Sequence, residues 1–149
     1  MTDLTIERDV LIEAPAVVVW RTITEPDQIA RWFADKVELD LRPGGAGSLV
    51  FDDKATTKPF TAPLVVVALE PPRRFTFRWA HPDGEAPVAG NSVLVEFTLT
   101  EEGSDRTRLR VTETGLDAIG WANEDKARYV AEHRNGWAEK LGWLEGLFG

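Results

Sequence analysis

The chain has 149 residues, of which 43% are hydrophobic and 28% charged, with a formal net charge of −8. This balance is typical of a globular protein and excludes a disordered or fibrous one. The acidity disfavours nucleic acids and anionic membrane surfaces as partners, because both attract Lys and Arg. There is no cysteine, which excludes disulfides, a thiol nucleophile and a thiolate metal site.

No apolar run approaches the ~20 residues that a membrane-spanning helix needs. The first residues also lack the basic and apolar regions of a secretory signal. We therefore expect a cytoplasmic protein without membrane insertion. The sequence contains no low-complexity linker and no internal repeat, so we expect a single domain over residues 1–149.

The first part of the chain predicts a strand followed by two short helices. Apolar residues alternate over residues 4–12, the pattern of a half-buried strand, and Arg8 falls on the apolar side of it. Pro15 suits the first turn of a helix. Thr24, with an aspartate three residues later, predicts a capped second helix that continues through Phe33.

Six strands and one long helix are predicted in the remainder of the chain. Apolar segments bounded by Pro and Gly turns contain, in order, Val37, Leu49, Leu64, Phe75, Val93 and Leu109. From Asn123 to Phe148, apolar residues recur at spacings of three or four, which predicts one long amphipathic helix. Its buried side should contain Val130, Trp137, Leu141 and Leu144.

This order predicts an α+β helix-grip fold. In this fold a curved antiparallel sheet of about seven strands wraps around the long C-terminal helix, with two short helices between strands 1 and 2. A single long helix laid across a strongly curved sheet covers the apolar face that such a sheet must bury.

Several stretches resemble the START-like (SRPBCC, birch-pollen-allergen-like) superfamily. They are Ala14-Pro15 with Val19-Trp20, the segment from Pro26 to Phe33, the segment from Pro71 to Trp79, and Gly136-Trp137 followed by Leu141 and Leu144. Within the superfamily the chain is similar to the branch named after the activator of the heat-shock chaperone ATPase (AHSA-like). The resemblance covers nearly the whole chain, and it implies a helix-grip fold more firmly than any one function.

Aromatic side chains from several strands and the last helix are expected to face the interior. Each ring on its own is explained by core packing, but rings around a gap would make the wall of a pocket for a flat apolar ligand. The expected ligand-binding residues are Trp32, Phe33, Phe51, Phe77, Trp79, Phe97, Val111, His133, Trp137 and Leu141. Six of these residues are expected to enclose one volume between sheet and helix, namely Phe51, Phe77, Trp79, Phe97, His133 and Trp137.

Arg8 and Glu113 are the polar groups expected inside this cavity. Each falls on the alternate positions of its strand whose side chains should point inward. In this fold the first and last strands are neighbours, so the two side chains could form a buried pair. The pair could be structural, or it could anchor the polar group of a ligand. His133 could act as an acid or base, although a histidine in such a helical stripe is more often a satisfied core residue.

No catalytic motif is present. The sequence lacks a GxSxG elbow, a P-loop and a dinucleotide fingerprint, and its two histidines have no metal-ligand spacing. We therefore expect no cofactor, no metal and no catalytic residue. The leading hypothesis is a binding module for a small apolar or aromatic molecule. The resemblance leaves two alternatives, a co-chaperone that activates a heat-shock chaperone ATPase and a polyketide cyclase-like enzyme acting in the same cavity.

Overall fold

The computed structural model describes residues 4–51, 60–79 and 92–148, without the side chains of Phe51 and Phe60. Seven strands and three helices follow one another in the described residues. They are β1 (Ile6–Ile12), α1 (Ala16–Thr24), α2 (Pro26–Ile29), β2 (Lys36–Leu39), β3 (Ala46–Phe51), β4 (Phe60–Glu70), β5 (Arg74–Trp79), β6 (Val93–Glu101), β7 (Thr107–Thr114) and α3 (Asn123–Gly146). A single 3-10 turn, Leu116–Ala118, precedes α3. The predicted α+β helix-grip fold is confirmed.

The seven strands form one antiparallel sheet with the order β1-β7-β6-β5-β4-β3-β2. The predicted neighbouring of the first and last strands is confirmed, and the register places Ile6 opposite Glu113. On its other side Glu113 is opposite Val95 of β6. Strands β1 and β2 are the two edges of the sheet, and α3 packs against β1.

The long C-terminal helix has the buried side that its sequence predicts. Val130, Trp137, Leu141 and Leu144 are all buried against the sheet. The helix ends at Gly146, two residues before the predicted end. Strands β5, β6 and β7 supply much of the opposite wall of the core through alternating apolar residues. The interior of the protein therefore lies between this sheet and α3.

The two short helices differ in detail from their prediction. Helix α1 begins after Pro15, and Thr24 is its last residue rather than the cap of the next helix. The Thr24 hydroxyl donates to the carbonyl oxygen of Trp20 at 2.7 Å, and the N-cap position of α2 is Glu25, without a side-chain cap. Helix α2 is only one turn long and begins at Pro26. Proline suits this first position because the N–H of a first helical residue has no partner within the helix, so its absence costs nothing. Phe33 lies in the turn that follows it.

The turn before β3 needs its glycines. Gly44 has a φ of +84°, in the left-handed region that glycine adopts without strain. A Cβ on Gly45 would collide with the carbonyl oxygen of Asp40. The Gly-rich segment is thus a turn between two strands, as the sequence predicts, and it leads directly into β3.

Candidate functional site

The interior aromatic rings pack directly on one another. Phe33 stacks on Trp137 with ring centroids 5.2 Å apart, and Phe97 meets the same indole edge-on at 5.7 Å. Trp79 lies 5.6 Å from Phe33 and 6.1 Å from Trp137. The rings expected to surround one open volume therefore occupy much of that volume themselves. They come from α3, two strands and the turn after α2, which explains why they converge.

A small cavity remains on the side of α1 and α2. Its volume is about 10 Å³, roughly the space that one water molecule needs. Its lining is formed by ten apolar residues: Ile23, Ile29, Trp32, Phe33, Leu39, Leu49, Leu64, Phe75, Phe77 and Phe97. The one polar atom among these side chains, Nε1 of Trp32, donates to the backbone oxygen of Thr22 at 2.9 Å. The cavity therefore offers apolar contact and no free polar group.

Four of the predicted ligand-binding residues line this cavity, namely Trp32, Phe33, Phe77 and Phe97. Five do not, namely Trp79, Val111, His133, Trp137 and Leu141. Val111 and Leu141 are buried in the core, and the side chain of Phe51 lies outside the described residues. The other lining residues were not predicted as a site, because apolar residues of β2, β3 and α1 carry the ordinary signal of a core.

Glu113 is the buried polar centre of the interior, with only 2% of its surface exposed. Tyr129 Oη donates to Glu113 Oε2 at 2.7 Å, and Nε1 of Trp137 donates to Oε1. His133 Nδ1 lies 3.0 Å from the same Oε1. These three partners are spaced four residues apart on α3, so one face of the helix satisfies both carboxylate oxygens.

The ring of His133 is held between aromatic neighbours. It stacks on Tyr129 with centroids 3.7 Å apart and faces Trp79 edge-on at 5.9 Å. Its side chain is 28% exposed, whereas Tyr129 is buried. Burial, followed by the charge of Glu113, raises the pKa of Tyr129 well above its usual range. Tyr129 was missed as a site residue, although the sequence places it four residues before His133 and eight before Trp137, on the same face of a helix.

The predicted pair of Arg8 and Glu113 is wrong. Arg8 is exposed, and within the described residues it makes no ion pair with Glu113. The register places Arg8 opposite Val111, while β1 is the edge of the sheet, where a long side chain can reach water from an inward-facing position. Glu113 is inward and buried as expected, but it takes its hydrogen bonds from α3 instead.

Lys140 lies over the rings of Phe33 and Trp143, on the side of α3 that carries the exposed Trp143. Its Nζ lies 6.0 Å from the ring centroid of Phe33 and 4.6 Å from that of Trp143. Burial lowers the pKa of the Lys140 ammonium, and the nearby charges of Glu139 and Asp35 oppose this effect. Trp143 itself is half exposed.

The described ranges contain no group of three or more His, Asp or Glu side chains placed to hold a metal ion. Within the same ranges, no helix combines the length and the apolar character that crossing a bilayer requires.

The sheet wrapped around α3, with aromatic rings between them, defines a START-like helix-grip domain. Residues 13–149 match the family described as activator of Hsp90 ATPase homolog 1-like protein, and the chain belongs to this family. The AHSA-like resemblance of the sequence is thereby confirmed. No curated protein matches the sequence significantly.

Solved structures share the fold over nearly the whole chain. Protein MLL2253 from Mesorhizobium loti is 24% identical, with a TM-score of 0.74 over 96% of this chain and 95% of that one. CalU16 from Micromonospora echinospora is 29% identical, with a TM-score of 0.68 over 97% of this chain and 74% of that one. DynU16, from the dynemicin biosynthetic locus, is 26% identical, with a TM-score of 0.74 over 97% of this chain and 46% of that one.

Proposed function

We propose that this protein binds a small apolar or aromatic molecule between its sheet, α1–α2 and α3, without transforming it. The observation that carries this proposal is the cavity with a wholly apolar lining beside a cluster of aromatic rings. Apolar pockets with few polar groups are typical of small-molecule sites. The similarity to DynU16, a protein of a biosynthetic locus, agrees with a small-molecule role.

Binding requires the cavity to widen, because its present volume is roughly that of one water molecule. The wall formed by Ile29, Trp32 and Phe33 belongs to a single helical turn and the turn after it. Most of the opposite wall belongs to strands β3 to β6, which are hydrogen-bonded on both sides. Local opening takes less free energy in segments with fewer backbone partners, so the wall of α2 is expected to move and the sheet to stay.

The test is a titration with naphthalene, a flat apolar probe. Trp32 lines the cavity and Trp137 stacks on a lining residue, so binding should quench tryptophan emission and raise the Tm as naphthalene exceeds its Kd. Leu64→Phe extends a lining side chain into the cavity and should weaken binding. Leu99→Phe makes the same change at a buried position outside the lining and should bind as the wild type does.

Two results would contradict the proposal. One is the absence of both quenching and stabilisation with the wild-type protein. The other is equal binding by the two phenylalanine variants, since the ligand would then lie elsewhere. Turnover of a bound molecule would replace the binding function with an enzymatic one.

The description of the family supports a second candidate, activation of a heat-shock chaperone ATPase. It differs from the first in needing a protein surface rather than a cavity. Addition of the purified protein to an Hsp90-type ATPase without any small molecule distinguishes the two. Stimulation that persists in Leu64→Phe would favour the chaperone role, whereas no stimulation would remove it.

A further inference from the structure

The hydrogen bonds around Glu113 determine what His133 can offer a ligand. An ionised carboxylate only accepts hydrogen bonds, so the His133 nitrogen that faces it, Nδ1, is the one that carries the proton. In the neutral imidazole the other nitrogen, Nε2, then has a free lone pair and acts as an acceptor. Within the described part of the chain, Nε2 has no hydrogen-bond partner.

Glu113 is the acidic group that contacts His133. Among the described residues, His133 is the basic side chain that contacts Glu113, and no lysine or arginine forms an ion pair with this carboxylate. Of the two lysines on α3, Lys126 donates to the backbone oxygen of Asp117 at 3.2 Å. Lys140 follows His133 by seven residues, about 10 Å along the helix, and lies over Phe33 and Trp143. The polar end of the interior therefore combines a buried carboxylate with an imidazole acceptor.

In the described part of the chain, contacts between aromatic rings connect this polar end to the apolar cavity. Phe33 and Phe97 line the cavity and also contact Trp137, whose indole donates to Glu113. Trp79 contacts both Phe33 and His133. A flat ligand that displaces Phe33 from its stack would lie against Trp137 and Trp79, with its edge toward His133.

We propose that the Glu113–His133 cluster is the polar end of the ligand site and selects aromatic molecules that donate a hydrogen bond, namely phenols, over aromatic carboxylates. This inference rests on the proposed function and adds the chemical class of the ligand. A phenol hydroxyl donates to Nε2 of His133. A carboxylate brings a second negative charge close to Glu113 and has no proton to donate, so its binding leaves the acceptor unpaired.

A ring-matched series tests the proposal, namely naphthalene, β-naphthol and β-naphthoate at neutral pH, with Kd measured by tryptophan quenching and by the shift in Tm. We expect wild-type protein to bind β-naphthol at least about tenfold more tightly than β-naphthoate. A tenfold difference in Kd corresponds to about one hydrogen bond, here the bond from the hydroxyl to Nε2 of His133. It should also bind β-naphthol more tightly than naphthalene.

Variants of His133 assign the preference to the cluster. In His133→Ala the ratio of naphthalene Kd to β-naphthol Kd should fall to about one, since the acceptor is lost. His133→Gln keeps an acceptor oxygen and should retain part of the ratio. Arg134→Ala changes the exposed neighbouring residue and should keep the wild-type ratio. The Tm of each unliganded variant shows that it is folded.

The outcomes separate the two proposals. If naphthalene binds but β-naphthoate binds as tightly as β-naphthol, the polar end does not select donors, and only this inference is overturned. If the preference for β-naphthol survives in His133→Ala, the cluster is not its cause, and the inference is again overturned. If none of the three probes binds, the proposed function itself is overturned.

Discussion

Glu113 shows how one buried residue organises the interior at the scale of single side chains. A carboxylate taken out of water is strongly unfavourable unless donors satisfy it. Tyr129, His133 and Trp137 provide these donors from one face of α3. The cluster therefore fixes the rotation of α3 about its axis relative to β7, in addition to the apolar contacts along the helix.

The same cluster is expected to make the protein less stable at alkaline pH. Tyr129 is the single tyrosine of the chain, and burial and the charge of Glu113 raise its pKa. The pKa of an unfolded tyrosine is about 10, so this contribution to stability is complete below about pH 10 and is lost as the pH rises above it. We expect tyrosinate absorbance to appear only together with unfolding, as followed by circular dichroism.

Tyr129→Phe serves as the control for this titration. It should lack the tyrosinate signal and lose less stability above about pH 10 than the wild type, while Lys and Arg titrate in both proteins. Formation of tyrosinate near pH 10 in protein that is still folded would contradict the assigned burial and hydrogen bond.

At the scale of elements, α3 has two tryptophans with opposite environments. Trp137 is 2% exposed and contacts Phe33, Trp79 and Phe97, whereas Trp143 is 51% exposed and contacts Lys140. The stabilising contribution of the helix therefore comes from its inner face. The outer face contributes a cation–π contact at an accessible site, which is worth little.

We expect Trp137→Ala to lower the free energy of unfolding by about 3–5 kcal/mol, the range for a large aromatic residue removed from a packed core. Trp143→Ala should lower it by less than about 1 kcal/mol, because it loses one exposed cation–π contact. Urea unfolding of both variants and the wild type measures the two values. Equal losses would mean that the inner ring cluster is less tightly packed than its ring contacts indicate.

At the scale of the whole molecule, distant parts of the chain depend on one another. β1 pairs with β7, and α3 packs on β1, so the first strand is held only when the last strand and helix are in place. We propose that residues 1–149 form a single cooperative domain. The connection between the two ends of the chain makes independent unfolding of either end unfavourable.

Urea unfolding tests this cooperativity. We expect far-ultraviolet circular dichroism and tryptophan emission to change in one coincident transition, because helix, sheet and aromatic cluster share the same core. Leu144→Ala, at a fully buried position of α3, should shift both signals to lower urea concentration together. Two separated transitions would show that the chain contains parts that fold independently.

The fold was predictable because its signals are local. Alternation of apolar residues identified the strands, and spacings of three or four identified α3, as with Val130, Trp137, Leu141 and Leu144. The helix boundaries after β1 were not predictable in detail. Thr24 has the residue type of a cap, but its hydroxyl bonds backwards to Trp20, and this choice depends on the path of the backbone.

The sequence by itself determined the order of the elements, the inward position of Glu113 and the convergence of aromatic rings between sheet and helix. Only the tertiary structure decided that Arg8 is exposed at a sheet edge and that Glu113 is satisfied by α3. It also decided that stacked rings such as Phe33 and Trp137 fill much of the space between them. The reason is that side chains alternate between the two faces of a strand, so the position of a residue in the strand gives the direction of its side chain. The hydrogen-bond partner of that side chain and the free volume beside it depend on how distant elements pack.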